Sequence, residues 1–381
     1  MRGFRFAGVA AGLKSAGRDV ALVVNDGPRF DAAAVFTANR VQAAPVRWSR
    51  QVLRSGRVRA VVLNSGGANA CTGPAGFQDT HATAEHLAVA LGIGAGEVAV
   101  CSTGLIGERL PMDRLLAGVS AAVGSLSPDG GTAAAEAIMT TDTRPKTVSI
   151  VDGGWSVGGM AKGAGMLAPS LATMLCVLTT DAVAAPSTLD AALRAATRVS
   201  FERLDSDGCL STNDTVLLLA SGASGVAPAP AAFAATVESA CRDLAAQLMA
   251  DAEGSTKDVA IEVTGAATED DAVAVGRAVA RNNLVKTALF GNDPNWGRVV
   301  SAAGYSGVAF EEKDLTLWMG DMLLYRDGTP VPFDAAAASS YLKHNREVHF
   351  KLRFGHGAGR CTFHTCDLTS EYVRLNADYT T

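Results

Sequence analysis

A lysine, a threonine and a run of small residues meet in GGMAKGAGMLAPSLATMLCVLTTDA, residues 158–182. Lys162 is almost the only charge there, and Thr173 lies where a Gly-, Ala- and Pro-rich loop gives way to an apolar run. A threonine hydroxyl is a poor nucleophile unless a base adjoins it. One solution makes the threonine the first residue of a chain, so that its own α-amino group is the base. That amine has an ordinary pKa of about 7.7–8.0, close to neutrality. An internal threonine reaches this state by self-cleavage. Its hydroxyl attacks the preceding carbonyl, an N-to-O acyl shift gives an ester, and water opens the ester. Ala172 is small and leaves room for such an attack. A β-branched residue opening a buried strand has the same local appearance, and the stretch alone supports both readings.

Other polar loops each adjoin an apolar run. NSGGANACTG follows Val61–Leu63, and CSTGLIGERLP follows Val98–Val100. Turn N–H groups and a threonine hydroxyl, as at Thr103 and Gly104, can donate to an oxyanion. Small hydroxyl and amide residues also cap helices, and these loops suit that role too. AIMTTDTRPK packs Thr140, Thr141 and Thr143 around Asp142, and STNDTVLLLASG is a polar turn before a strand. DAEGSTK lacks the glycine spacing of a Walker loop, GIGAGE and GHGAGR make no dinucleotide fingerprint, and there is no GxSxG or HExxH. Cys361 and Cys366 are too far apart for CxxC spacing, and His344, His349, His356 and His364 match no recognised zinc pattern. No metal is therefore expected.

Elements must hold these loops in place. The chain has 381 residues, 48% of them apolar, enough for two or three domain-sized units. A net charge of −5 with no basic patch argues against nucleic acid, and no apolar run is long enough for a bilayer-spanning helix. The N-terminus reads as a strand or turn, not a signal peptide. Cys71, Cys101, Cys176, Cys209 and Cys241 sit in largely apolar contexts and read as buried, reduced thiols of a cytoplasmic protein. Buried strands are expected at Val61–Leu63, Val98–Val100, Met174–Leu178, Val216–Leu219 and Val259–Ile261. Helices are expected after Ser187, after the linker SGASGVAPAPAA, and over Asp271–Arg281. Beyond about residue 281, DLTLWMG and EVHFKLRFG alternate like antiparallel strands with one wet face, and DAAAASSYLKH reads as a short helix between them. Two domains are expected, 1–280 and 281–381.

In order, NSGGANACTG, CSTGLIGERLP, AIMTTDTRPK, AKGAGMLAPSLATMLCVLTTDA, STNDTVLLLASG, DAEGSTK, LVKTALFGNDPNWGRV and LNADYTT span nearly the whole chain. Together they resemble the ornithine acetyltransferase family, the glutamate N-acetyltransferases of arginine biosynthesis. The resemblance implies an α/β (α+β) fold. This would be an αββα layered sandwich like that of N-terminal-nucleophile hydrolases, plus a smaller C-terminal α/β domain.

It further implies self-cleavage between Ala172 and Thr173 into associated chains of 172 and 209 residues. Thr173 would be the nucleophile and substrate contact, and Thr103 and Gly104 the oxyanion hole. Thr140, Lys162, Glu253, Asn376 and Thr381 would contact substrate, with Thr141 an open alternative to Thr140. The implied reaction passes the acetyl group of N-acetylornithine to glutamate through an acetyl-Thr173 ester, releasing ornithine and N-acetylglutamate. A self-cleaving aminopeptidase or amidase, passing the acyl group to water, is the alternative. No cofactor is implied, though acetyl-CoA stays open as a second acetyl donor. A homo-oligomer of cleaved pairs is expected. Two small departures, Ala252 in place of a family glycine and Cys209 in a polar turn, touch none of these positions.

Overall fold

The computed structural model describes residues 1–168 and 174–378. The chain opens with β1 (Phe4–Val9), β2 (Val20–Asn25), β3 (Asp31–Phe36) and α1 (Ala44–Val52). Then come β4 (Ala60–Asn64), α2 (Gly73–Leu91), β5 (Val98–Ser102), α3 (Met112–Gly124) and α4 (Gly131–Ala137). The hairpin β6 (Lys146–Asp152) and β7 (Trp155–Lys162) leads to β8 (Leu175–Thr180), α5 (Pro186–Arg198), β9 (Leu204–Asp205), β10 (Thr215–Ala220) and α6 (Pro230–Ala250).

These elements make two sheets, β1-β2-β4-β5 and β3-β10-β8-β7-β6. Strands β2, β4, β8 and β10 are buried at every position. Continuous apolar runs suit strands covered on both faces. The pleat divides each run between two cores. Leu217 and Leu219 of β10 face the space between the sheets, where they meet Val61 and Leu63 of β4. Val216 and Leu218 face the other way, onto Leu193 of α5 and Leu244 of α6. Val62 of β4 turns outward onto Leu87 of α2 and Leu115 of α3. Helices, sheet, sheet and helices therefore stack as the expected αββα sandwich.

The rest of the chain is β11 (Asp258–Ala266), α7 (Glu269–Arg281), α8 (Asn283–Phe290), α9 (Trp296–Gly304), β12 (Thr316–Met319) and β13 (Met322–Arg326). It ends with β14 (Thr329–Pro330), α10 (Ala335–His344), β15 (Glu347–Arg353), β16 (Gly359–Cys366) and α11 (Ser370–Asp378). A seven-stranded sheet, β14-β13-β12-β15-β11-β16-β9, carries a separate core. β12 and β15 pair antiparallel, and β15 alternates buried and exposed residues. The expected boundary at 281 falls too late, because β11 and α7 already belong to this sheet and its core. The apolar run of β11 signals a strand but not its partners, β15 and β16, which lie far along the chain. β9 also reaches in from the first unit and pairs with β16.

Among the described residues no helix is long and apolar enough to cross a membrane. Cys101, Cys176, Cys241 and Cys366 are buried, but Cys71 and Cys209 are exposed, contrary to expectation. Both stand in loops outside the strands and helices, Cys71 after Ala70 and Cys209 before Leu210, so an apolar neighbour in the sequence does not bury them. Leu217 is fully buried between the sheets. Leu217→Ala is expected to cost about 2–5 kcal/mol, read as a lower denaturant midpoint with an unchanged slope.

Candidate active site

Five strand ends share one edge of the sandwich. β4 and β5 run parallel and finish there. β7 finishes there with Lys162 paired to Leu175, where β8 begins, and β10 begins beside it with Thr215 paired to Leu175. The polar loops noted in the sequence leave from these ends. Asn213 stitches them across the two sheets, its Nδ2 donating to Ala68 O at 2.6 Å and Ser102 O at 2.7 Å. Asn64 Nδ2 donates to Ser102 Oγ at 2.7 Å, and Thr103 N donates to Asn64 O at 3.0 Å.

At this edge Lys162 Nζ donates to Thr103 Oγ1 at 3.3 Å. Lys162 is 3% exposed and Thr103 6%. A hydroxyl that accepts from an ammonium keeps its own hydrogen to give elsewhere, and a buried site strengthens that donation. Gly104 follows with φ +129°, and a Cβ there would lie 2.8 Å from Gly67 N. Only glycine fits both that dihedral and that approach. Burial pushes the Lys162 ammonium below its ordinary pKa, with Asp142 opposing the fall.

Beneath Lys162 lies a buried charge network. Lys146 Nζ bridges Asp142 Oδ1 and Asp251 Oδ2, each at 2.6 Å. Asp142 Oδ1 also accepts from Gly163 N at 2.7 Å, and Asp142 Oδ2 from Thr140 N at 3.0 Å. Asp251 accepts from Thr143 N and Oγ1. The loops bearing Thr140, Lys162 and Glu253 are thus tied to one lysine. Glu253 N donates to Ala164 O at 3.0 Å, and Asn376 Nδ2 donates to Glu253 Oε2 at 2.9 Å. A Cβ on Gly165 would meet the Glu253 carboxylate at 2.6 Å, so the glycine makes room for it.

Of the residues expected from sequence, Thr103, Gly104, Lys162, Thr140, Glu253 and Asn376 are gathered by these contacts. Ala172, Thr173 and Thr381 lie outside the described residues. Glu253, Asn376 and Thr141 line one cavity of about 420 Å³, whereas Thr140 lines another of about 630 Å³ with Lys14 and Arg18. A further cavity of about 590 Å³, lined by Arg203, Glu262 and Cys361 among others, holds none of the expected residues. Sequence reasoning gave no role to Lys146, Asn213 or Asp214 and noted Asp142 only as the aspartate of a polar turn, although all four fall inside motifs it quoted.

The ArgJ family model matches residues 5–381. The chain belongs to the ArgJ family. It is 60% identical over 379 residues to the arginine biosynthesis bifunctional protein ArgJ of Streptomyces coelicolor, covering 99% of this chain and 98% of that one. A solved ArgJ bifunctional protein of Bacillus halodurans is 38% identical, with a TM-score of 0.51, covering 53% of this chain and 97% of that chain. A solved ornithine acetyltransferase of Mycobacterium tuberculosis, complexed with ornithine, is 65% identical, with a TM-score of 0.44, covering 44% of this chain and 92% of that chain.

The network beneath this ArgJ site predicts an acid response. Burial opposes the Asp142 charge, yet Lys162, Lys146 and the Gly163 N–H together hold its carboxyl below the ordinary value of 3.8. A carboxyl depressed on folding stabilises above its unfolded pKa and loses that contribution as pH falls through its native one. Asp142→Asn is expected to lose about 3–5 kcal/mol near pH 7. The gap to the parent protein should narrow below about pH 4, as denaturant melts across pH would show.

Proposed function

We propose that this chain transfers the acetyl group of N2-acetyl-L-ornithine to L-glutamate through an acetyl ester on Thr173, made available by cleavage after Ala172. Acetyl transfer in arginine biosynthesis is the activity of this ArgJ chain. The residue roles are our reading, and one observation carries it. The ammonium of Lys162 holds the Thr103 hydroxyl beside Gly104 at the edge where β8, the strand after Thr173, begins.

In this reading the Thr173 hydroxyl adds to the acetyl carbonyl and gives its proton to the terminal amine. The Thr103 hydroxyl and Gly104 N–H take the developing oxyanion, which is stabilised because the donors are fixed in advance. The C–N bond breaks, the proton passes to the leaving nitrogen, and ornithine departs. The neutral amine of glutamate then attacks the ester, its surplus proton passes through the terminal amine to the Thr173 oxygen as the C–O bond breaks, and N-acetylglutamate leaves. The order is ping-pong. The carboxylate of Glu253 suits an amino group of ornithine, and the Lys162 ammonium suits a substrate carboxylate. Since the chain supplies its own nucleophile, base and oxyanion donors, the scheme calls for no resident cofactor. Acetyl-CoA, left open as a second acetyl donor, would be a co-substrate and not a resident cofactor.

Association after cleavage follows from the sheet. β8 and β10 lie after residue 173, whereas β3, β6 and β7 lie before it, and all five share one hydrogen-bonded sheet. Cutting the connecting loop leaves the β7–β8 and β3–β10 ladders in place. The length of the solved Bacillus halodurans chain agrees, since 53% of this chain covers nearly all of it.

Intact-mass spectra of denatured protein test the reading. Two fragments divided at Ala172–Thr173 are expected, and one full-length species for Thr173→Ala. A single species in the parent protein would sink the reading. With N-acetylornithine and glutamate both supplied, N-acetylglutamate should accumulate, and acetate in its place would mean a hydrolase. Thr103→Val should lower kcat by about 10²–10³-fold, the cost of one lost oxyanion donor, with KM changed little.

A further inference from the structure

The turn from Thr140 to Thr143 separates two cavities. Thr141 and Thr143 line the one of about 420 Å³ together with Glu253 and Asn376, and Thr140 lines the one of about 630 Å³ together with Lys14 and Arg18. Their charged linings differ in sign. In the first, Asp251 is paired with Lys146, and Arg346 with Asp258. The Glu253 carboxylate accepts from the neutral amide of Asn376 and forms no ion pair among the described residues. In the second, Arg18 is paired with Glu136 at 3.1 Å. The Lys14 ammonium donates to Met139 O at 2.8 Å and forms no ion pair among the described residues. Among those residues, each cavity therefore keeps one uncompensated charge, a carboxylate in the first and an ammonium in the second.

Lys14 is built into its place. Fully buried Asp19 takes the Ala11 N–H on Oδ1 at 2.6 Å, and the N–H groups of Leu13 and Lys14 on Oδ2 at 2.7 and 3.1 Å. With three backbone donors on its carboxylate, Asp19 fixes the loop and not the Lys14 ammonium. The loop packs on Gly66, where a Cβ would lie 2.3 Å from Leu13 Cβ. The Met139 carbonyl that Lys14 reaches adjoins Thr140, whose N–H is held by Asp142. Asp142 also holds the N–H of Gly163, next to Lys162. Lys14 and Lys162 thus stand on one hydrogen-bonded frame. Burial pushes the Lys14 ammonium below its ordinary pKa, with Asp19 and Asp142 opposing the fall and Lys162 adding to it. An ammonium has three N–H donors, and Met139 uses one, so two remain for an anion.

The two amino acids of the transfer differ in the sign of one group. N-acetylornithine and glutamate carry the same α-carboxylate and the same α-nitrogen. The side chain of one ends in an ammonium, and that of the other in a carboxylate. A single side-chain pocket of either sign attracts one and repels the other.

We propose that the cavity of Lys14, Arg18 and Thr140 is the subsite for the side chain of glutamate, with the Lys14 ammonium taking its γ-carboxylate, while the Glu253 cavity takes the δ-ammonium of ornithine. The assignment rests on the transfer reading above. The Thr140–Thr143 turn is then a divider that sorts donor from acceptor by charge. Donor and acceptor use the acetyl-enzyme in turn, so no pocket has to change sign between the two steps. Lys14 binds substrate and moves no proton.

Ping-pong kinetics separate the two substrates, because kcat/KM for each reports its own half-reaction. Lys14→Met is expected to lower kcat/KM for glutamate by about 10–100-fold, the effect of losing one charge-assisted hydrogen bond. The value for N-acetylornithine should change little. Lys14→Arg, which keeps the charge, should recover most of the glutamate value. Lys14→Glu should make ornithine the better acceptor, read as exchange of labelled ornithine into N-acetylornithine against formation of N-acetylglutamate. Should Lys14→Met not fold, Lys14→Gln set beside Lys14→Arg makes the same comparison. An equal fall for both substrates, or no fall for either, would overturn the subsite. Acetate made by the parent protein in place of N-acetylglutamate would overturn the transfer reading itself, and that failure shows before any variant is made.

Discussion

The pairing of Lys162 with Leu175 across two antiparallel strands is the constraint from which the rest of the site follows. It makes the loop between them leave and return at one edge of one sheet. Lys162 and the start of β8 are thereby adjacent. The second sheet, with β4 and β5 ending opposite, brings Thr103 to the same place. Because β8 is buried on both faces, the edge cannot shift without exposing two cores at once. The β7–β8 ladder joins residues on either side of that loop, so its hydrogen bonds do not depend on the loop being continuous.

Charge is handled at this edge by burial and pairing rather than by exposure. Lys146, fully buried, is shared between two carboxylates, and each carboxylate holds a different loop. The expense of dehydrating these groups is offset only while all of them stay together. Lys162 is treated differently. It forms no ion pair among the described residues and donates to a neutral hydroxyl. Asp214 is different again, a buried carboxyl whose Oδ2 has no hydrogen-bond partner among the described residues.

Much of the sandwich was legible because its strands are short apolar runs bounded by Gly, Asn, Ser and Thr. β4, β5, β8 and β10 all appear where those runs lie. The residues expected to contact substrate were legible only as family motifs in a fixed order. Lys146 was not legible, although it ends the quoted AIMTTDTRPK, because a lysine read locally is a surface residue and only the fold brings two aspartates to it. The boundary near 258 was missed for a related reason, since β11 finds its partners about ninety residues or more downstream.

By itself the sequence determined which segments are strands, which loops carry hydroxyl, amide and charged groups, and to which family the chain belongs. These are local properties, written in composition, period and motif. Tertiary structure alone decided which of those groups meet. The Lys162–Thr103 contact joins residues 59 positions apart, and the Asp214–Met174 contact residues 40 apart. Hydrogen bonds and charges act over a few ångströms, whereas separations along the chain say little about distance until the sheets have formed.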